Sequence, residues 1–517
     1  MNILAPDNVL TASAGSRAFE SVSIWLGEAV FGHRIWYRQT PWLILLEFLN
    51  VAEAFQRKSA LLDEQTSPSY SLRFRMGLRQ ILFNGSDLER IASLNVDDES
   101  RWTEWLAQMG KQQCIPREGF GYLRERFKSF SDFAQLVRLL RQTGIEAGSN
   151  KRWSSRFIFP LGPAALFSDA AVDKSARVVR DYTVFGRSGE MLYQMLCRSD
   201  HADELRAHLE RLLAPENERN RLVGLLCAPS DDEADRREEG ESFLPYRKHP
   251  AFDRLAADWL KVLGLGLPDG DALTHLAPLA AFHLMLYQLE TAAAALGSDR
   301  PVIVCEMIAP RRELVRQHAV NSFIENDALI RRALTERLMH RLTEIRKLAD
   351  AQDATDRDRQ EFIQDRLREE FNLKLERVGT DAELDLELGN HVERKLDQND
   401  GLVHLNYGRS VGLVSRRGTN RNRYAPTDAF LKTLVLVRVD RRQELGLFLA
   451  DLREQYGLVI GPEEAGAVLD REAFDLSSFD RNRDRLEARL ASMGLLNRLS
   501  DGCAYVLNPY DSSEERP

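Results

Sequence analysis

The chain has 517 residues, of which 44% are hydrophobic and 29% charged, and its formal net charge is −9. A chain of this length is too long for a single core, so we expect three or four domains of ordinary globular composition. The acidic balance argues against a protein whose whole surface binds nucleic acid, although it leaves room for a local basic patch.

Cysteine usage and the N-terminal sequence both indicate a reducing, aqueous compartment. The five cysteines are widely scattered and include no C-x-x-C pair, so neither a disulfide framework nor a thiolate zinc site is predicted. The first twenty residues lack the basic and apolar regions of a signal peptide. The apolar run at 41–48 is far too short to cross a bilayer. We therefore expect a cytoplasmic protein that makes no membrane contact.

The first predicted segment, 1–150, is helical. Apolar residues recur at steps of three and four between 42 and 52 and again between 127 and 140, which is the period of a buried helical stripe. The second segment, 151–229, opens with a short strand and loop that contain proline and glycine. Two helices are expected to follow it.

A charged run at 230–242 has no large apolar residue, and we interpret it as an exposed loop or domain boundary. The third segment, 243–320, is predicted to be helical with one strand, because PVIVCEMI at 301–308 is apolar and β-branched. The fourth, 321–425, is predicted to hold long helices and a basic loop, and its first helix begins at about 320 and reaches 349.

The fifth segment, 426–517, contains three apolar-periodic helices and then two short apolar runs separated by Asp501-Gly502. An Asp-Gly pair between such runs indicates a hairpin, because glycine accepts the positive φ of a tight turn. Three helices followed by a hairpin is the order of a winged helix, in which the last helix enters the major groove of DNA. The predicted fold class is therefore mainly α with minor β, multidomain, with a C-terminal winged-helix-like domain.

Two stretches carry the candidate nucleic-acid contacts. The third C-terminal helix supplies arginines that reach phosphates and one asparagine that can read a base edge, although acids are interleaved with them. The loop at 409–423 carries five arginines and no acid, so it is expected to follow a phosphate backbone. The predicted residues are Arg409, Arg416, Arg417, Arg421 and Arg423 in the loop and Arg481, Asn482, Arg483, Arg485 and Arg489 in the helix.

The sequence contains no Walker A loop, no HExxH and no Rossmann glycine motif, so neither a cofactor nor a metal is predicted. One formal G-x-S-x-G match places Ser410 at its centre, but a nucleophile elbow needs a strand before the serine and a helix after it. An alternative is a metal-dependent nuclease in which acids hold a hard cation beside a lysine. Its weak candidates are Asp385, Glu387, Glu393 and Lys395.

Several stretches carry a family resemblance. FPLGPAALF, FGRSGEMLYQMLCRS at 185–199, RGTNRNRYAPTDAFLKTLV and LSDGCAYVLNPY resemble accessory proteins of bacterial multigene anti-phage loci, which are restriction-like and methylation-associated. The resemblance covers part of the chain and carries over no catalytic residue. It implies a bacterial cytoplasmic component that works beside helicases, methyltransferases or nucleases.

The leading hypothesis is a non-enzymatic DNA-associated or scaffolding subunit of such a defence complex. Its partners would be double-stranded DNA, contacted by the winged helix and the basic loop, and other protein subunits of the system. The alternatives are the metal-dependent nuclease and a subunit that binds only proteins.

Overall fold

A computed structural model describes most of the chain. The described residues are 3–10, 22–32, 35–63, 70–73, 75–83, 86–111, 116–144, 162–166, 170–172, 178–180, 187–216, 218–229, 243–307, 314–351, 355–371, 380–396, 400–417, 420–469, 475–500 and 503–510. The charged run at 230–242 and the Asp501-Gly502 turn lie outside them.

The described part is mainly helical, as predicted, with four small sheets. Its helices are α1 (Val22–Phe31), α2 (Pro41–Arg57), α3 (Met76–Phe83), α4 (Ser86–Ala92), α5 (Asp98–Met109), α6 (Tyr122–Arg126), α7 (Phe130–Gly144), α8 (Ser188–Cys197), α9 (Ala202–Leu212), α10 (Glu218–Gly224), α11 (Pro250–Gly264), α12 (Asp269–Ala295), α13 (Leu314–Asp350), α14 (Asp356–Phe371), α15 (Asp381–Leu396), α16 (Val403–Ser410), α17 (Asp428–Arg438), α18 (Leu445–Tyr456), α19 (Pro462–Val468) and α20 (Leu476–Ser492). Its strands are β1 (Ala170–Val172), β2 (Val178–Arg180), β3 (Ile303–Val304), β4 (Val414–Ser415), β5 (Arg423–Tyr424), β6 (Arg442–Glu444), β7 (Leu458–Val459), β8 (Leu496–Ser500) and β9 (Cys503–Leu507).

Two compact units account for these elements. One unit comprises residues 1–41, 194–202 and 242–517, which we call the large unit, and the other comprises 42–193 and 203–241. The finer division into five segments stays a sequence-based prediction.

An aromatic cluster forms the core of the second unit. Trp102 of α5 lies 5.0 Å from the Phe130 ring, and Trp105 lies 4.9 Å from the Phe133 ring, measured between ring centroids. All four rings are buried. The apolar stripe predicted between 127 and 140 therefore faces a core, as expected. The helix that carries it, α7, begins at Phe130.

Long helices build the large unit. The helix predicted from about 320 to 349 is present but longer, since α13 runs from Leu314 to Asp350 and buries one stripe of apolar side chains along its length. The neighbouring α12 is buried on nearly all sides of its middle turns, which is typical of a central core helix.

The strand predicted at 301–308 is much shorter than expected. Only β3 is a strand, and it pairs in parallel with β7, with Ile303 opposite Leu458. The flanking residues 305–307 are buried. The Cys305 N–H still donates to Val459 O of β7 at 2.8 Å, whereas the Glu306 N–H donates to Tyr424 O and the Met307 N–H to Asn482 Oδ1. A two-residue strand suffices because its surroundings satisfy the remaining backbone groups.

The C-terminal elements follow the predicted order with three additions, β6, β7 and α19. Thr427 caps α17 by accepting from the Phe430 N–H, and Gly457 ends α18 with a φ of 73°. That left-handed conformation is one that glycine adopts without strain. The last three strands form an antiparallel sheet in the order β6-β9-β8.

A buried polar network joins four helices of the large unit. The Asp258 carboxylate of α11 accepts hydrogen bonds from His283 Nε2 at 2.8 Å and from the Tyr456 hydroxyl, and Arg438 lies 3.4 Å from its other oxygen. Asp258 and His283 are completely buried. Such a network is stable only when its members are paired, so it fixes the helices that contribute to it.

None of the helices that the structure describes is long and apolar enough to cross a membrane.

His249 caps the start of α11. Its Nδ1 accepts from the Ala251 N–H at 3.0 Å, and burial lowers the pKa of His249 to about 4. The folded protein therefore keeps this imidazole neutral, whereas the unfolded chain protonates it below about pH 6.5.

We expect the free energy of unfolding to fall as the pH is lowered from about 7 towards about 5, because unfolded His249 takes up a proton that the folded state excludes. His249→Asn removes this titration while keeping a good N-cap acceptor. The slope of unfolding free energy against pH should therefore decrease by about one proton in the variant. Urea denaturation at a series of pH values measures both slopes, and equal slopes would contradict the neutral buried state.

Candidate nucleic-acid interface

The basic loop predicted at 409–423 lies largely at the tip of a β-hairpin. β4 and β5 pair antiparallel, with Val414 opposite Tyr424 and Ser415 opposite Arg423. Residues 416–422 connect the two strands, and the structure describes all of them except 418 and 419. We call the segment 414–424 the basic hairpin.

A glycine sets the entry to the basic hairpin. Gly412 has a φ of +85°, and a Cβ at this position would collide with the Thr427 hydroxyl. The Thr427 N–H donates to Gly412 O at 2.8 Å, and the Ala425 N–H donates to Leu413 O at 2.8 Å. These two hydrogen bonds join the residues before the hairpin to those after it, and so fix the base of the hairpin between α16 and α17.

Three arginines at or beside the hairpin tip are exposed without an acidic partner among the described residues. Arg409 donates to Asn422 Oδ1 at 2.7 Å, and Arg416 donates to Asn420 O at 3.2 Å. The Arg417 side chain makes no hydrogen bond or ion pair to any described residue. Neutral acceptors leave the guanidinium charge uncompensated, so the tip presents concentrated positive charge. Arg421 is exposed in the same loop.

Arg423 does not belong to this exposed set, which corrects the expectation that it contacts phosphate. Its side chain is 7% exposed and ion-paired with the buried carboxylate of Glu306. The other oxygen of Glu306 binds Arg316 at 2.7 Å. The charge of Arg423 is therefore neutralised inside the protein, and its ion pair fixes the base of the hairpin. We call Glu306, Arg316 and Arg423 the buried ion triad.

The second strand of the hairpin carries a further buried anchor. The Tyr424 hydroxyl accepts from Asn326 Nδ2 at 2.9 Å and lies 2.7 Å from His404 Nε2, while the Phe323 ring stacks on His404 at 4.6 Å. Burial raises the pKa of Tyr424 well above its usual value. The hydroxyl is therefore neutral at physiological pH and acts as a structural group.

Two of the four α20 arginines predicted to reach DNA, Arg483 and Arg489, form ion pairs within the protein. Arg483 lies 3.5 Å from Asp480 and 3.8 Å from Asp484. Arg481 is exposed and donates to Ser478 Oγ at 3.3 Å. Arg485 is exposed, and its side chain makes no hydrogen bond or ion pair with any residue that the structure describes.

Arg489 makes its contacts within the protein, although it was predicted to reach DNA. It ion-pairs with Asp428 at 2.6 Å and donates to Pro426 O at 2.8 Å. These bonds join the last turn of α20 to the segment that links the basic hairpin to α17.

Asn482 is also wrongly predicted, because it is completely buried and cannot read a base edge. Its Nδ2 donates to Cys305 O and to Ile460 O, each at 2.9 Å, and its Oδ1 accepts from the Met307 N–H at 2.7 Å. It binds α20 to the β3 segment and to the residue after β7. The periodic pattern already contained this placement, since Phe479, Leu486 and Leu490 share its buried stripe.

The acids proposed for a nuclease do not converge. They lie along the single helix α15, where Asp385 pairs with Arg346 at 2.8 Å and Glu393 pairs with Arg331 at 2.9 Å, while Glu387 is exposed. The Lys395 side chain lies outside the described residues. Within the described ranges, no group of three or more His, Cys, Asp or Glu residues could hold a metal ion. Two of these acids therefore form ion pairs between α15 and α13.

Ser410 has no nucleophilic setting. It is the last residue of α16, and its Oγ donates to Tyr407 O at 2.9 Å. A nucleophile elbow places its serine between a strand and a helix, which does not occur here.

No protein-family model, curated protein or solved structure matches the chain. Its function must therefore be inferred from its own geometry.

The buried ion triad predicts a large stability cost when its carboxylate is removed. Glu306→Gln removes the buried carboxylate that two mostly buried guanidinium groups share, so we expect a loss of about 3–5 kcal/mol in the free energy of unfolding. Glu393→Gln, which breaks a half-exposed pair, should cost less than about 1 kcal/mol. Urea denaturation of both variants measures the difference. Similar losses in the two variants would contradict the anchoring role of Glu306.

Proposed function

We propose that this chain is a non-enzymatic, DNA-associated or scaffolding subunit that contacts the phosphate backbone of double-stranded DNA through the basic hairpin. The observation that carries the proposal is the exposed, uncompensated positive charge of Arg409, Arg416 and Arg417. Guanidinium groups bind phosphate oxygens bidentately and displace condensed counterions, which supplies sequence-independent affinity.

The charge distribution favours a local contact over a diffuse one. The whole chain is acidic, with a net charge of −9, so most of its surface repels a polyanion. The hairpin tip and the adjoining end of α16 differ, because Arg416 and Arg409 donate to the neutral oxygens of Asn420 and Asn422. A fixed base and a charged tip suit a loop that follows a phosphate backbone.

The C-terminal topology supports the second part of the proposal, a winged-helix-like domain. The order helix, strand, helix, strand, helix, helix and two strands, with the sheet order β6-β9-β8, resembles a winged helix that has β7 and α19 added before its last helix. In that architecture α20 would approach the major groove and the β8–β9 hairpin would act as the wing. The surface of α20 is nearly neutral, which suits a helix that positions DNA more than one that attracts it strongly. Arg485 is exposed and makes no ion pair with a described residue.

Membership of a bacterial anti-phage defence complex is the further element of this proposal, and the sequence resemblance supports it. In such a complex this chain would hold DNA while other protein subunits act on it. The paired acids of α15 favour this non-enzymatic role over the nuclease alternative.

The hairpin contact predicts a specific salt dependence. Wild-type protein should bind a short duplex DNA with an affinity that falls steeply between about 50 and about 200 mM salt. Arg416→Ala/Arg417→Ala should reduce the slope of log affinity against log salt by about 2, because each lost phosphate contact removes about 0.9. Fluorescence anisotropy titrations at several salt concentrations measure this slope.

A matched control removes the same charge elsewhere. Arg357 and Arg366 of α14 are at least 43% exposed and pair with Glu361 and Glu369. The double variant Arg357→Ala/Arg366→Ala should leave the slope unchanged. Absent or salt-independent DNA binding in the wild type would exclude the proposal, as would equal slopes in the two double variants.

Arg485 tests the winged-helix part separately. Arg485→Ala should weaken DNA binding and lower the salt slope by about 1, because an exposed guanidinium on the groove-facing helix would be lost. Arg483→Ala, whose charge is already balanced by two neighbouring aspartates, should have a smaller effect. If both substitutions leave binding unchanged, α20 does not approach DNA and the contact is limited to the hairpin.

A further inference from the structure

A cavity of about 450 Å³ lies in the large unit, at the start of α11 and the end of α12. Its volume is in the range of small-molecule sites. Its apolar wall is formed by Ile3, Leu4, Pro250, Ala293 and Ala294, and its polar wall is formed by His249, Arg254, Glu290, Ser298 and Arg300. No local sequence pattern indicates this site, because its residues come from three separate stretches of chain, 3–4, 249–254 and 290–300.

The polar wall carries one carboxylate between two guanidinium groups. Glu290 Oε2 lies 2.6 Å from Arg254, and its Oε1 lies 2.7 Å from Arg300. Burial alone would raise the pKa of Glu290, but the two arginines outweigh burial and hold it below its usual value. Glu290 is therefore ionised, and the three residues together carry one net positive charge.

His249 adds no charge to this balance at neutral pH. Burial lowers its pKa to about 4, so the ring is neutral. Its Nδ1 already accepts from the Ala251 N–H, and its Nε2 lies 3.4 Å from Thr291 Oγ1. The single excess charge of the cavity comes from arginine alone.

The two arginines differ in their spare hydrogen-bonding capacity. Arg300 is occupied, since besides Glu290 it donates to Glu454 O and Gln455 O at the end of α18. Arg254 is 9% exposed, and its bond to Glu290 is its single hydrogen bond to the described residues. Its Nη1 is accessible to solvent and makes no hydrogen bond to that part of the chain, whereas its Nε is buried out of reach of a ligand. Arg254 lines the cavity, so the Nη1 donors are available to an acceptor on a ligand.

We propose that this cavity binds a small organic carboxylate with an apolar portion. One carboxylate neutralises the single excess charge, and its oxygens match the planar N–H donors of Arg254. The apolar portion lies against the alanines of α12 and against Leu4. A phosphate ester fits less well, because it brings up to two negative charges to a site with one in excess. This inference is independent of the proposed DNA contact.

The test uses three probes of similar shape on the full-length protein. Benzoate carries the carboxylate, benzamide is its neutral counterpart and phenyl phosphate is the dianionic counterpart. Isothermal titration calorimetry should show saturable binding of benzoate, at least about tenfold tighter than that of benzamide or phenyl phosphate. A panel with acetate and isovalerate measures the contribution of the apolar portion.

Three variants locate the site. Arg254→Gln removes the spare donor, and Ala294→Leu fills the cavity without touching the ion network, so each should weaken benzoate binding at least about tenfold. Because Arg254→Gln also removes a partner of Glu290, Ala294→Leu keeps the test valid if the first variant is unstable. Lys261→Gln removes one exposed charge from the same helix α11 and should leave binding unchanged.

Four results would overturn the proposal. They are no saturable binding of any carboxylate at about 10 mM, equal affinity for benzoate and benzamide, tighter binding of phenyl phosphate, and benzoate binding that Ala294→Leu leaves intact.

Discussion

Glu306 is the residue on which the large unit depends most directly. Its carboxylate is buried between Arg316 of α13 and Arg423 of β5, so two cations and one anion share a site from which water is excluded. Such an arrangement is tolerated when every charge is paired, and it strongly resists the loss of any member. The Glu306 N–H also donates to Tyr424 O, which binds the backbone of the same two segments. The triad therefore sets the position of the basic hairpin relative to α13 and the β3 segment.

The short segment 301–307 collects most of the connections around this triad. β3 pairs with β7, Ser322 accepts from the Val304 N–H at 3.1 Å, and Asn482 bonds to Cys305 and Met307 on the far side. Helix α13, the basic hairpin and the C-terminal elements thus all contact the segment 301–307. This arrangement explains how a loop with a highly charged tip can have a fixed base, since Arg423 is held inside while Arg416 and Arg417 stay outside.

Local periodicity predicted the helices well, because an apolar stripe is a property of neighbouring residues. It predicted α7, α13, α17, α18 and α20, although not the short α19, and Gly457 ends α18 as expected. The candidate site was harder to predict, because a count of arginines does not show which of them form ion pairs within the protein. Arg423 finds its partner 117 residues away at Glu306, and no local pattern carries that information. Asn482 was different, since its three- and four-residue spacing from Phe479 and Leu486 already placed it on the buried stripe of α20.

We propose that the buried ion triad holds a basic hairpin whose exposed arginines contact DNA phosphates. Hydrogen exchange measured by mass spectrometry, with and without a short duplex DNA at low salt, tests it most directly. We expect DNA to slow exchange in the segment 409–424, with a smaller effect at the start of α20, and to leave exchange in α13 and α15 unchanged. Bound DNA that leaves exchange in 409–424 unaltered, or that protects α15 instead, would contradict it.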